Sequence, residues 1–247
     1  MLLTNLQLLV ELGRQLCSIP LGASDVEQIV QGLATKSVNT ADAVLTLIWN
    51  GMGADANILN RSILEAYLVG AYLALHPELC ADFLQFHEVK LHRYYSWVKE
   101  RDGSNVSAEV QQKLDVLDGA VTDWKSRKMP ASSWSKVNLR TMAIAIDLNN
   151  PDVDNRFAVI QYENGYRILS SFAHSDVLAF SYGDDFGLYP TRGQFPGSAS
   201  DLLSFLSATL LLLDQVKQLG KAGEVEAVVH EVLVNLPGFD PRRYGLA

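Results

Sequence analysis

The sequence predicts an all-α protein, a single bundle of about eight to ten helices. Apolar residues recur at three- and four-residue spacing along nearly the whole chain. No stretch alternates apolar with polar residues for long enough to make a useful strand. Pro, Gly and capping residues bound most of the periodic runs, as helix start and stop signals do.

Taken in order, Leu2 to Cys17 is the first helical run and stops before Pro20. Ser24-Asp25 opens a second, short helix that ends near Thr35. Asn39-Thr40 caps the next segment, Ala41 to Trp49, which breaks at Gly51 and Gly53. A strong helix follows from about Asp55 to Leu75, and Pro77 begins another long segment, Glu78 to Arg101, dense in aromatics. Ser107 caps Ala108 to about Lys128, a more polar helix expected on the surface. Residues 129–137 form a loop and Leu139 to Leu148 a short helix. Asp152 to Tyr182 reads mainly as helix, with Gly165 a weak point inside it. Residues 183–199 hold four Gly and two Pro and read as irregular. Two helices, about Asp201 to Leu219 and Glu224 to Leu236, complete a single domain over 1–247 with no evident internal boundary.

Composition narrows the function classes. A length of 247 residues with 48% apolar residues suffices for a substantial core. A net charge of −8 argues against broad nucleic-acid or anionic-membrane binding, though a local basic pocket can still hold a phosphate. Cys17 and Cys80 lie among apolar neighbours and read as reduced, buried thiols. The uncharged stretch Leu202 to Leu213 is short for a membrane span and reads as a core helix, so a cytoplasmic location without membrane contact is expected.

Four constellations carry possible chemistry. Arg61 and Glu65, four apart on a face with Ile58, Leu64 and Leu68, predict a partly buried ion pair. That pair either fixes helix register or presents Arg61, oriented by Glu65, to an anion. In the second, Tyr162, Tyr166, Leu169, Ala173 and Val177 make a packing stripe. Glu163, Arg167, Ser170, Ser171 and His174 lie on the adjacent polar stripe. Arg167 and His174, two turns apart, suit phosphodiester chemistry: histidine moves a proton near neutrality and arginine stabilises charge on a pentavalent phosphate. The bland alternative for His174 is a helix-boundary residue capped by Ser170 and Asp176. His87, Glu88 and His92 lack metal-site spacing and read as a solvated face. Gly51-x-Gly53 lacks the βαβ context of a dinucleotide site and reads as a helix break. No metal site and no cofactor is expected.

Arg61-Ser-Ile-Leu-Glu65-Ala, then Trp134, then Tyr162-x3-Tyr166-Arg167-x-Leu-Ser170-Ser171-x-x-His174-Ser175 resemble the pattern of a bacterial all-α family of unknown function. The resemblance spans roughly residues 40–180, with the helices of 201–236 packing on that core. The Arg167 to His174 spacing also resembles, more weakly, the HEPN superfamily of helical bundles. That superfamily includes metal-independent ribonucleases of toxin–antitoxin and phage-defence systems. Its motif often has a polar residue after the Arg, where this chain has Ile168. The resemblance implies Arg167 and His174 as catalytic residues and a site formed where two protomers of a homodimer meet.

Two functions are thus expected as alternatives. One is a metal-independent RNA endonuclease with Arg167 and His174 catalytic and Arg61, Glu65, Ser171 and Tyr166 contacting substrate. The other is a non-catalytic helical module that binds a protein partner or a small ligand and keeps a structural Arg/Glu/His network.

Overall fold

The computed structural model describes residues 2–20, 22–150, 156–166, 169–170 and 196–234. Among these it is all-α, with no strand. The chain forms two compact units: unit 1 comprises Met1–Leu75 and Leu139–Ala247, and unit 2 comprises His76–Asn138.

Unit 1 begins with α1 (Leu2–Cys17), which buries Leu6, Leu9, Val10 and Leu16 on one face. Helix α2 (Asp25–Trp49) opens with a capping box, in which Ser24 and Glu27 satisfy each other's backbone N–H groups. It is one continuous helix where the sequence suggests two. Thr35, Ser37 and Thr40 donate to the carbonyls of Gln31, Leu33 and Lys36 four residues back, at 2.8 to 2.9 Å. Bonded within their own helix, these hydroxyls do not start a new one, and Asn39-Thr40 is no cap. The break comes at Asn50, with Gly51 in the left-handed region at φ +77°.

Helix α3 (Gly53–Leu75) then packs antiparallel on α2. Helices α6 (Leu139–Leu148), α7 (Phe157–Ile160), α8 (Pro196–Lys217) and α9 (Ala222–Val234) complete unit 1. The last four residues of the expected irregular stretch, 196–199, are the first turn of α8, with Pro196 where a missing N–H costs nothing. Helix α8 runs alongside α3 in the same sense and also packs on α1 and α2. Its Leu202, Phe205, Leu206, Leu210 and Leu213 are fully buried, as expected of a core helix. Helix α3 and the Ser198–Lys217 part of α8 are long and apolar enough to cross a membrane, and each is more than half buried within the fold. Close packing explains Gly13: a Cβ there would lie 2.7 Å from Val38 Cγ2 and meet Leu210 on α8.

Buried Gln31 ties α1 to α2. Its amide donates to the Cys17 and Ile19 carbonyls at 2.9 and 2.7 Å, partnering acceptors at the end of α1. Neither cysteine is in a disulfide; Cys80 is buried and Cys17 only partly so.

Unit 2 is a hairpin of α4 (Cys80–Asp102) and α5 (Ala108–Ser126), with short 3₁₀ turns at Pro77–Leu79 and Gly103–Asn105. Aromatic contacts hold it: Phe86 stacks on Trp124 at 5.5 Å and Phe83 meets Trp134 edge-on at 5.4 Å. The Trp124 indole N–H donates to the Pro130 carbonyl at 3.0 Å and pins the 129–137 loop. Helix α5 buries only Leu114, Val121 and Trp124, in keeping with its polar sequence.

Candidate functional site

The site in unit 1 begins with Asp147 in α6. Both its carboxylate oxygens accept backbone N–H bonds from Ala158 and Val159, at 2.9 and 2.8 Å, and so hold the start of α7. Tyr67 of α3 meets Phe157 edge-on at 5.8 Å. Burial, with the Asp147 charge as the smaller cause, pushes the Tyr67 hydroxyl up to about 12. Past Ile160 the chain widens into a π-helical turn, Gln161–Tyr166, instead of the expected α-helix. Within it, Tyr162 and Tyr166 stack at 5.3 Å with their planes 13° apart. Gly165 is a point of close approach rather than a weak point: a Cβ there would lie 3.1 Å from Phe205 Cζ and 3.4 Å from Leu64 Cδ2.

This turn delivers Tyr166 to Arg61. The half-buried guanidinium donates from Nη2 to the Tyr166 hydroxyl at 2.9 Å and lies 4.8 Å from the centre of the same ring. Arg61 Nε is buried without an acceptor among the described residues. The expected ion pair with Glu65 does not form: Glu65 is exposed, and no hydrogen bond or ion pair joins the two. The physical reason lies in the environment of each group. Glu65 gains hydration by turning to solvent, while the aromatic face and hydroxyl of Tyr166 solvate Arg61 without a carboxylate. Arg61 is therefore oriented by Tyr166, and Glu65 is no part of that contact.

Arg167, Ser171 and His174 lie outside the described residues. Of the expected polar stripe, Glu163 pairs with Arg140 of α6 at 2.7 Å. Ser170 donates to the Tyr166 carbonyl at 2.6 Å, and Leu169 is buried as expected of the packing stripe.

Sequence reasoning missed a polar seam between α3 and α8. Ser198 donates to Asn57 Oδ1 at 2.7 Å, and Asn60 Nδ2 donates to the Ser198 carbonyl at 2.9 Å. Asn60 is fully buried and its Oδ1 has no donor among the described residues. Asp201 follows on α8, and burial pushes its carboxyl up to about 7. The signal was available: Asn57 and Asn60 fall three apart in a helix with a largely apolar buried face, where amides need partners.

In unit 2, His87 and Glu88 are exposed, as expected of a solvated face. His92 instead bridges the hairpin, with Nε2 2.8 Å from Asp118 of α5 and Nδ1 3.4 Å from Ser96. Among the described residues no group of three His, Cys, Asp or Glu could hold a metal ion.

Fold and site together define an all-helical protein with an aromatic-braced arginine at the α3–π-turn contact. A family model, described as a family of unknown function (DUF5677), matches residues 27–187, and the chain belongs to that family. No curated protein and no solved structure matches it.

Proposed function

We propose that unit 1 recognises a phosphate-bearing ligand through Arg61 and Tyr166. The observation that carries this reading is a half-buried arginine without a described carboxylate partner. A cation withdrawn from water and held by a neutral aromatic keeps its full charge for an anion. Arg61 spends one N–H on Tyr166, whose hydroxyl accepts that bond and retains its own proton to donate.

A catalytic extension of this reading is metal-independent cleavage of RNA in the cytoplasm, at a site shared by two protomers. Its support is that Tyr166, held by Arg61, immediately precedes Arg167 in the chain. His174 would take the proton of the RNA 2′-hydroxyl as that oxygen attacks phosphorus, and then return it to the departing 5′-oxygen. Arg167 and Arg61 would stabilise the charge on the pentavalent phosphate, with Ser171 a further substrate contact.

The test is RNA cleavage in EDTA by the full chain and by Arg61→Gln, Arg167→Ala and His174→Ala. The catalytic reading expects cleavage by the wild type and a loss of about 100-fold or more without His174. Equal RNA decay in wild type and His174→Ala would overturn it. Phosphate binding that persists in such a result would leave a non-catalytic helical binding module.

A further inference from the structure

Helix α4 in unit 2 carries an exposed stripe outside the Arg61 site, at one end of which Lys90 lies 4.9 Å from the ring centre of Phe86. Lys90, Arg93, Tyr94, Trp97 and Arg101 recur at three- and four-residue spacing and so share one face. All five are exposed, Tyr94 and Trp97 by more than half. Large aromatics left in water are costly unless something covers them. By the same spacing Glu100, seven residues after Arg93, borders this face, so cations outnumber carboxylates along it three to one. Asp102 lies beside it and pairs with Arg101 at 2.8 Å. Arg101 also lies 5.0 Å from the Trp97 ring centre, and Tyr94 and Trp97 are 6.4 Å apart.

Charge distribution supports an anionic occupant. Unit 2 has nine Lys/Arg and nine Asp/Glu, whereas the rest of the chain has eleven and nineteen. The acidity of the protein therefore resides wholly outside unit 2. Alternating cations and flat aromatic faces meet two needs of a nucleic-acid strand, namely phosphate neutralisation and base stacking. From Lys90 to Arg101 the helix rises about 16 Å, the length of about five nucleotides in a stacked strand. A duplex hides its base faces and could not use Tyr94 and Trp97, so the geometry favours a single strand.

We infer that the Lys90–Arg101 face of α4 binds single-stranded nucleic acid, by stacking bases on Tyr94 and Trp97 and pairing phosphates with Lys90, Arg93 and Arg101. This goes beyond the Arg61 reading and stands even if Arg61 binds nothing. The experiment is fluorescence anisotropy of a labelled 12-nucleotide oligouridylate with the full chain at low and moderate salt. The comparison set is Tyr94→Ala/Trp97→Ala, Arg93→Glu and Arg61→Gln, all checked by circular dichroism. Expected is salt-dependent binding that falls about tenfold or more in the aromatic double variant. Arg93→Glu should weaken binding and flatten its salt dependence, and Arg61→Gln should retain the stripe's contribution. No wild-type binding at low salt, or equal binding by the folded double variant, overturns the inference. So does a wild-type dimer without oligonucleotide binding that the double variant dissociates, because the stripe would then join two copies of the chain.

Discussion

In unit 1, Asn60, Arg61 and Asp201 lie in or beside an aliphatic core with few partners, while in unit 2 Arg127, His92 and Lys113 are matched by neighbouring groups. Arg127 contacts Asp82, Gln85 and Asp123 together, and His92 spans the hairpin to Asp118. The contrast is one of cost. A polar group near solvent that finds a partner gains little and risks little. One withdrawn from water without full pairing imposes a standing penalty on the fold. Polar groups of the second kind are found in unit 1, which is why the candidate site is placed there.

Breaking the core of unit 1 gives the largest effect. Phe205 is fully buried against Gly165, so Phe205→Ala should cost about 3–5 kcal/mol in urea unfolding. A cost near zero would mean that α8 does not seat the π turn.

Asp201 tests the penalty directly. Its folded pKa, about 7, exceeds its ordinary value of 3.8, so the folded state favours the protonated form. Its contribution is therefore fully present below about pH 4 and is lost as pH rises through 7. Asp201→Asn should raise stability at pH 8 by about 2 kcal/mol, the full shift being discounted for partial exposure, and change little at pH 4. Equal effects at both pH values would contradict the assignment.

Tyr166→Phe removes the hydroxyl and keeps the ring over Arg61. The expected cost is about 1.5 kcal/mol, as for a hydrogen bond to a charged group, read as a lowered Tm. The smallest effect belongs to unit 2. Asp118→Asn, at the exposed end of the His92 pair, should shift stability by less than about 1 kcal/mol. A larger loss there would erase the distinction between the units.

Much of the fold was legible because it rests on local signals. The breaks at Gly51 and Pro77, the Ser24 and Ser107 caps, and α6 at Leu139–Leu148 all follow from neighbours in sequence. The false break at Asn39-Thr40 arose because capping residues also serve inside helices, where their hydroxyls turn back on the preceding turn. The site was half legible. Arg61 and Tyr166 were both singled out, but spacing offered Glu65 as the partner of Arg61. The actual partner lies 105 residues away and is reached only because the chain widens at Gln161–Tyr166. A π turn leaves no periodic mark over six residues, and the Asn60–Ser198 bond spans 138 positions. Tertiary contacts of that kind are invisible to local pattern.

The most direct test of the account is whether Arg61 holds an anion. Thermal unfolding of the full chain should be followed with and without inorganic phosphate at matched ionic strength, in wild type and Arg61→Gln. Ligand binding to the native state alone must raise its stability. A phosphate-dependent rise in Tm in the wild type that Arg61→Gln abolishes is the predicted result. The same rise in both proteins, or none in either, would contradict an anion site at Arg61 and leave its contact with Tyr166 as a structural brace.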